Sequence, residues 1–170
     1  MTWQEKWEAW KALPTLDKAL HEEVTTMSEN DAREAFWGDL AFGTGGLRGE
    51  LGAGTGRMNV YTVAKATRGL GAYLKAQFDE PSCAVSFDSR IMSTEFARLT
   101  AAVLADMGVT VYLYPRLMPT PMLSFAVRHH HCSGGVMVTA SHNPAKVNGY
   151  KVYGPDGCQI TEAAAAAIDA

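Results

Sequence analysis

Between residues 83 and 153, short apolar runs alternate with amphipathic segments, and this pattern constrains the fold more than any other feature. Residues 83–87, 109–114 and 135–139 read as strands, with a shorter one at 150–153. Residues 94–107 and 120–131 read as helices between them. The apolar runs are continuous rather than alternating, as expected for strands covered on both faces. Strands separated by helices of this length predict βαβ units. The expected fold is α/β, with a mixed, largely parallel sheet between helices. Gly108 closes one helix as its C′ residue, and Asn148-Gly149 and Pro155-Asp156-Gly157 read as turns.

Ahead of this region the chain changes character twice. Residues 1–40 read as a helical extension in which Trp3, Trp7 and Trp10 share one face, and the stripe reads as packing. Pro14 breaks that run, Leu16, Leu20, Val24 and Met27 repeat the period, and Ser28-Glu29-Asn30-Asp31 supplies cap chemistry before a third segment at 32–40. Residues 42–56 are so rich in glycine that they make a poor strand or helix, so the backbone freedom must serve another purpose. Residues 61–78 then read as a helix with Val63, Leu70 and Leu74 on one face. At the other end, Thr161-Glu162 opens an alanine-rich helix that reaches Ala170 after about two turns, where an isolated helix is marginal. The division expected is therefore a helical extension at 1–40, an α/β domain at 41–160, and at 161–170 the start of a truncated interdomain helix.

Charge and cysteine content exclude several classes. The net charge of -3 is concentrated in the first 40 residues, and the remainder is mildly basic. No dense basic face is present, so nucleic acid is not an expected partner. A small anion held by a few placed Arg and Lys suits the balance better. Cys83, Cys132 and Cys158 are an odd number at irregular spacing, neither a disulfide framework nor a metal site. The start carries charges and tryptophans where a signal peptide needs an apolar run, and no stretch is long enough to span a bilayer. The reading is a cytoplasmic chain with no membrane partner.

Four segments carry chemistry. The apolar run Gly134-Gly135-Val136-Met137-Val138-Thr139 delivers Ala140-Ser141-His142-Asn143-Pro144 at its carboxyl end, where open α/β sheets bind ligands. Ser141 either closes the strand in a Ser-Asn-Pro turn or stands exposed as a nucleophile. The run Gly43-Thr44-Gly45-Gly46-Leu47-Arg48-Gly49 fails both the dinucleotide and P-loop fingerprints. It is either a bend with a surface arginine or a loop presenting Arg48 to phosphate oxygens. Lys151 alternates with Tyr150 and Val152 and is either solvated or a general acid/base whose surroundings lower its pKa. Asp88-Ser89-Arg90 follows a strand, with a helix-capping and ion-pair role set against orienting the glycine loop or contacting substrate. His129-His130-His131-Cys132 cannot converge on one ion, because adjacent helical residues point about 100° apart; it reads as a helix end.

Together these segments resemble the alpha-D-phosphohexomutase superfamily, in its phosphoglucomutase/phosphopentomutase-like branch, and its N-terminal domain only. The matching text is Phe42 to Gly49, Arg57-Met58-Asn59, Asp88-Ser89-Arg90, Pro119-Thr120-Pro121, Thr139 to Pro144, and Asn148 to Gly157. The resemblance implies an intramolecular phosphotransferase that interconverts sugar 1-phosphate and 6-phosphate. Ser141 would carry a phosphoryl group, pass it to a sugar monophosphate and recover another from the bisphosphate. Arg48, Lys151 and His142 would be catalytic and substrate-binding with it, Lys151 as general acid/base and His142 beside the phosphoserine. Mg²⁺ would balance charge, with Ser141 a metal ligand through its phosphate and the other ligands in a second domain. Glucose 1,6-bisphosphate would be the activator. The sequence carries no Asp-x-Asp-x-Arg metal loop, no later sugar-recognition loop and no terminal phosphate-binding loop, so the expected partners include the missing domains and the isolated chain is expected to be inactive. Ala145 and Gly56 depart from the usual proline and asparagine. A phosphomannomutase or phosphopentomutase of the same superfamily, or a non-catalytic sugar-phosphate-binding module, are the alternatives.

Overall fold

The computed structural model describes residues 1–43 and 45–169; Thr44 of the glycine run and Ala170 lie outside them. Three short helices lead, α1 (Trp3–Lys11), α2 (Lys18–Thr26) and α3 (Glu29–Phe36). Thr2 forms a capping box with Glu5, and the side chains of Asp17 and Ser28 accept first-turn N–H groups of the next two, satisfying donors that have no partner within a helix. Because Ser28 is the cap, α3 begins and ends earlier than the 32–40 segment read from the sequence. The tryptophan face turns inward as its period requires. Trp7 Nε1 donates to the Val24 carbonyl at 2.9 Å, and Trp10 meets Phe36 and Tyr61 edge-on.

The body follows as β1 (Gly46–Glu50), α4 (Val60–Gln77), β2 (Ser82–Phe87), α5 (Ser93–Asp106), β3 (Thr110–Leu113), α6 (Thr120–His129), β4 (Gly134–Val138), β5 (Val147–Tyr153) and α7 (Glu162–Asp169). Its single sheet has the order β1-β5-β4-β2-β3. β2 pairs in parallel with β3 and β4, whereas β5 runs antiparallel to β4 and β1. The sheet is mixed, as the sequence predicts. The chain steps outward from β2 to β3 and then back past β2 to β4. Right-handed crossovers in opposite directions place their helices on opposite faces, so α5 lies on one side and α6 on the other.

Two cores result. On the α5 side, Val63, Leu70 and Leu74 of α4, Phe96 and Leu104 of α5, and Ile168 of α7 pack on Val85, Val136, Val138, Tyr150 and Val152. On the other side, Leu123 and Val127 of α6 pack with Ala84, Met137 and Tyr153. α6 covers β2 and β4. Beyond them the same face carries Lys151, half-buried, and Arg48, exposed.

Two readings of the sequence are corrected. Part of the glycine-rich stretch is a strand after all, with Gly46↔Lys151 and Arg48↔Gly149 in register. Gly46 adopts φ 136°, and a Cβ there would collide with the Tyr150 carbonyl, so only glycine lets the strands close. Asn148-Gly149 is not a turn but lies inside β5, which is seven residues long rather than short. A Cβ on Gly149 would stand 2.6 Å from the Thr139 carbonyl, so this glycine marks close backbone approach. Gly108 and Gly157 do occupy left-handed conformations at their expected helix end and turn.

Candidate active site

β2 and β4 are adjacent and parallel, with Phe87 opposite Val138, so their carboxyl ends open side by side. Asp88 and Thr139 are the next residues, and the Thr139 hydroxyl donates to Asp88 Oδ2 at 2.6 Å. Thr139 Oγ1 in turn accepts the Ser141 N–H at 3.0 Å. Asp88 Oδ1 takes the Ser93 hydroxyl at 2.8 Å and the Arg90 N–H at 3.0 Å. This chain of bonds ties the start of the Ser141 loop to the end of β2.

Ser141 itself has φ 55°, a left-handed conformation costly for a residue with a Cβ. Strain of this kind persists only where the surroundings over-determine it. Here they do: the Thr139 hydroxyl holds the N–H of Ser141, and Arg90 Nη2 donates to its carbonyl at 2.6 Å. The exposed Ser141 Oγ lies 3.3 Å from His142 Nδ1. Asn143 closes the turn by donating its side-chain amide to the Ala140 carbonyl at 2.7 Å. A depression beside Ser141 is lined by Asp88, Arg90, Ile91, Asn143 and Ala145. A separate apolar groove between α1, α4 and α7 shares none of these residues.

Arg48 and Lys151 sit on the same face of the sheet. Lys151 is opposite Gly46 and Met137, and Arg48 is opposite Gly149, so the two cations are diagonal neighbours, about 7–8 Å apart at their Cα atoms. Neither side chain has a hydrogen bond or ion pair among the described residues. Gly149 lies between Arg48 and Thr139, since the Thr139 N–H donates to the Gly149 carbonyl at 3.0 Å. The arrangement is an exposed hydroxyl on a held loop, a histidine beside it, and two unneutralised cations along the adjoining strands.

Asp88-Ser89-Arg90 is only partly what the sequence suggests. It forms an ion pair, Arg90 Nε lying 3.6 Å from Asp88 Oδ2, but its target is the Ser141 loop rather than the glycine loop. The N-cap of α5 is Met92, which has no side-chain cap bond. His129 and His130 stack on Phe125 and Tyr112, and His131 ends the helix with φ 52°. No group of three or more His, Cys, Asp or Glu among the described residues is placed to hold a metal.

Residues 39–170 match the family described as Phosphoglucomutase/phosphomannomutase, alpha/beta/alpha domain I. The chain belongs to the phosphoglucomutase/phosphomannomutase family. It corresponds to that family's first α/β/α domain. The phosphoglucomutase of Staphylococcus aureus strain USA300 is 46% identical over 156 residues, covering 91% of this chain and 28% of that protein. The phosphoglucomutase of the bovine strain RF122 is 44% identical over the same extent. Among solved structures, a protein of Thermus thermophilus described as a phosphomannomutase superposes with a TM-score of 0.72 at 36% identity, covering 78% of this chain and 29% of that one. The open form of parafusin from Paramecium superposes with a TM-score of 0.65 at 21% identity, which shows the shared fold. The chain thus spans little more than a quarter of the length of the phosphoglucomutases it matches.

Proposed function

We propose that this chain is the phosphoserine-bearing part of a phosphoglucomutase that interconverts sugar 1-phosphate and 6-phosphate. The observation that carries the proposal is Ser141, exposed on a left-handed turn at the carboxyl end of β4 and locked by Asp88, Thr139 and Arg90. In the forward step the bond between phosphorus and Ser141 Oγ breaks as a bond forms to the sugar hydroxyl oxygen. Lys151, in its neutral amine form, takes the hydroxyl proton, and the sugar becomes a bisphosphate that stays with the enzyme. After the intermediate reorients, its other phosphoryl group transfers to Ser141 Oγ and the proton returns to the sugar oxygen it leaves. Arg48 supplies a planar fork for phosphate oxygens on the same face. Such chemistry depends mainly on positioning and on charge stabilisation. His142 stands where it orients the serine oxygen. Glucose phosphates are the favoured substrates, because the relatives at 44–46% identity are phosphoglucomutases.

Mg²⁺ would supply charge balance on the transferring phosphoryl group. Among the described residues, the chain offers it only the phosphate on Ser141. The neighbouring carboxylate, Asp88, has both oxygens engaged by Thr139, Ser93 and the Arg90 backbone, so the remaining ligands must come from elsewhere in the enzyme. Three free thiols, two of them buried, suit the reducing cytoplasm. No helix among the described residues is long and apolar enough to cross a membrane.

The test is intact-mass analysis of the full-length enzyme after incubation with glucose 1,6-bisphosphate and Mg²⁺, followed by peptide mapping. One phosphoryl group on the Ser141 peptide, absent from Ser141→Ala, is the expected result. No phosphoryl group, or one carried on another residue, would overturn the assignment.

A further inference from the structure

The Arg90 guanidinium makes an unusual set of bonds. Nη2 donates to the carbonyls of Ser141 and Asn143, each at 2.6 Å, and Nη1 donates to those of Pro144 and Val147 at 3.0 and 2.9 Å. One side chain therefore gathers four carbonyls, three from the loop that carries the serine and one from the first residue of β5. The Arg90 side chain is only 13% exposed, and Asp88 pairs with its Nε side, so the cation is anchored behind the loop.

The peptide groups of this loop are trans, since the described chain has no cis bond. In a trans peptide the C=O and the following N–H point in opposite directions. Turning the Ser141 carbonyl onto Arg90 therefore turns the His142 N–H away from it. The same holds for the Pro144 carbonyl and the Ala145 N–H. The Asn143 carbonyl is followed by Pro144, which has no N–H to orient. The His142, Ala145 and Lys146 N–H groups have no hydrogen-bond partner among the described residues, whereas the amides of Ser141, Asn143 and Val147 are all bonded. The two of these donors that follow an Arg90-held carbonyl, His142 and Ala145, thus project from the side of the loop opposite a buried cation. Free backbone N–H groups turned to one side of a turn can form an anion-binding concavity.

We propose that Arg90 is a positioning residue that turns the His142 and Ala145 amides outward to hold the phosphoryl group on Ser141. The proposal rests on the phosphoserine reading above and extends it. Arg90 has all its Nη bonds on backbone carbonyls. It acts through the backbone, and the fork geometry of guanidinium matters more than its charge, because an ammonium cannot span four carbonyls.

The experiment compares amide proton spectra of the full 170-residue chain with serine and with biosynthetically installed phosphoserine at 141. In the wild type, phosphorylation should move the His142 and Ala145 amide protons downfield by more than any other amide of the loop. In Arg90→Lys, which keeps the charge, both shifts should collapse while the rest of the spectrum stays dispersed. If the two amides do not move in the wild type, the proposal is wrong, whatever the variant does. If Arg90→Lys stays folded and keeps both shifts, Arg90 serves stability or charge alone and the proposal is again overturned. Because the phosphoserine is installed directly, a failure of labelling by glucose 1,6-bisphosphate would count against the mutase reading without touching this one.

Discussion

At Gly46 the backbone turns to φ 136° to let the Tyr150 carbonyl occupy the space a side chain would need. Gly46→Ala should cost about 2–3 kcal/mol, the scale of a backbone clash that the neighbours cannot relieve. Urea unfolding of the variant beside wild type measures it, and an unchanged midpoint would mean that β1 can detach without consequence. Other single residues divide by how much they depend on distant neighbours. Ser141 is legible in the sequence, because the strand before it and the Asn-Pro after it set its exposure. Arg90 is not. Its partners lie 51 to 57 positions away, and nothing local in Asp88-Ser89-Arg90 says which loop its fork will meet.

Among the elements, α4 begins at a junction that does more than cap a helix. Asn59 Oδ1 accepts the N–H groups of Tyr61 and Thr62, while Nδ2 donates to the carbonyls of Gly52, Gly54 and Arg57. One side chain thus stops the glycine-rich segment and starts the helix. Asn59→Ala should lose about 2–3 kcal/mol, more than the ~1 kcal/mol typical of a cap, because buried carbonyls are left without donors. Asn59→Asp keeps the accepting oxygen but not the donor, so thermal melts should place it between Asn59→Ala and wild type. Equal losses for Asn59→Asp and Asn59→Ala would show that the cap contributes little. The helices themselves follow from period and caps, apart from shifts of a few residues at their ends. β1 does not, since a short strand that contains both Gly46 and Gly49 has neither β propensity nor alternation and exists through its pairing with β5.

Over the whole molecule, the leading helices form a small core that borrows Ala53 and Tyr61 from the α/β body. Asp39 joins the two parts, bonding Lys6 of α1 at 2.7 Å and Lys65 of α4 at 3.2 Å. The bond from Lys6 holds the Asp39 carboxyl below its ordinary pKa; burial opposes it, and Lys65 adds to the lowering. A carboxyl whose folded-state pKa is depressed stabilises the fold above its unfolded value and loses that contribution as pH falls through the folded one. The helical layer should therefore loosen below about pH 4. The carboxyl is about half exposed, so solvent screening limits the effect to about 0.5 kcal/mol. Asp39→Asn should melt lower than wild type at pH 7 and match it near pH 3. A difference that persists unchanged at pH 3 would show that the carboxylate charge is not the cause.

The amino-acid sequence by itself determined the α/β class, the helices of both parts and the exposed serine at the end of β4, because hydrophobic period, caps and a strand-end turn act over a few residues. Tertiary structure alone decided that β4 returns beside β2, which puts Asp88 against Thr139. It likewise decided that a glycine-rich segment becomes a strand, which sets Arg48 diagonal to Lys151, and that Arg90 lies behind the serine loop. These placements depend on which carbonyls and faces meet after the chain has crossed the sheet twice, and no local pattern encodes that.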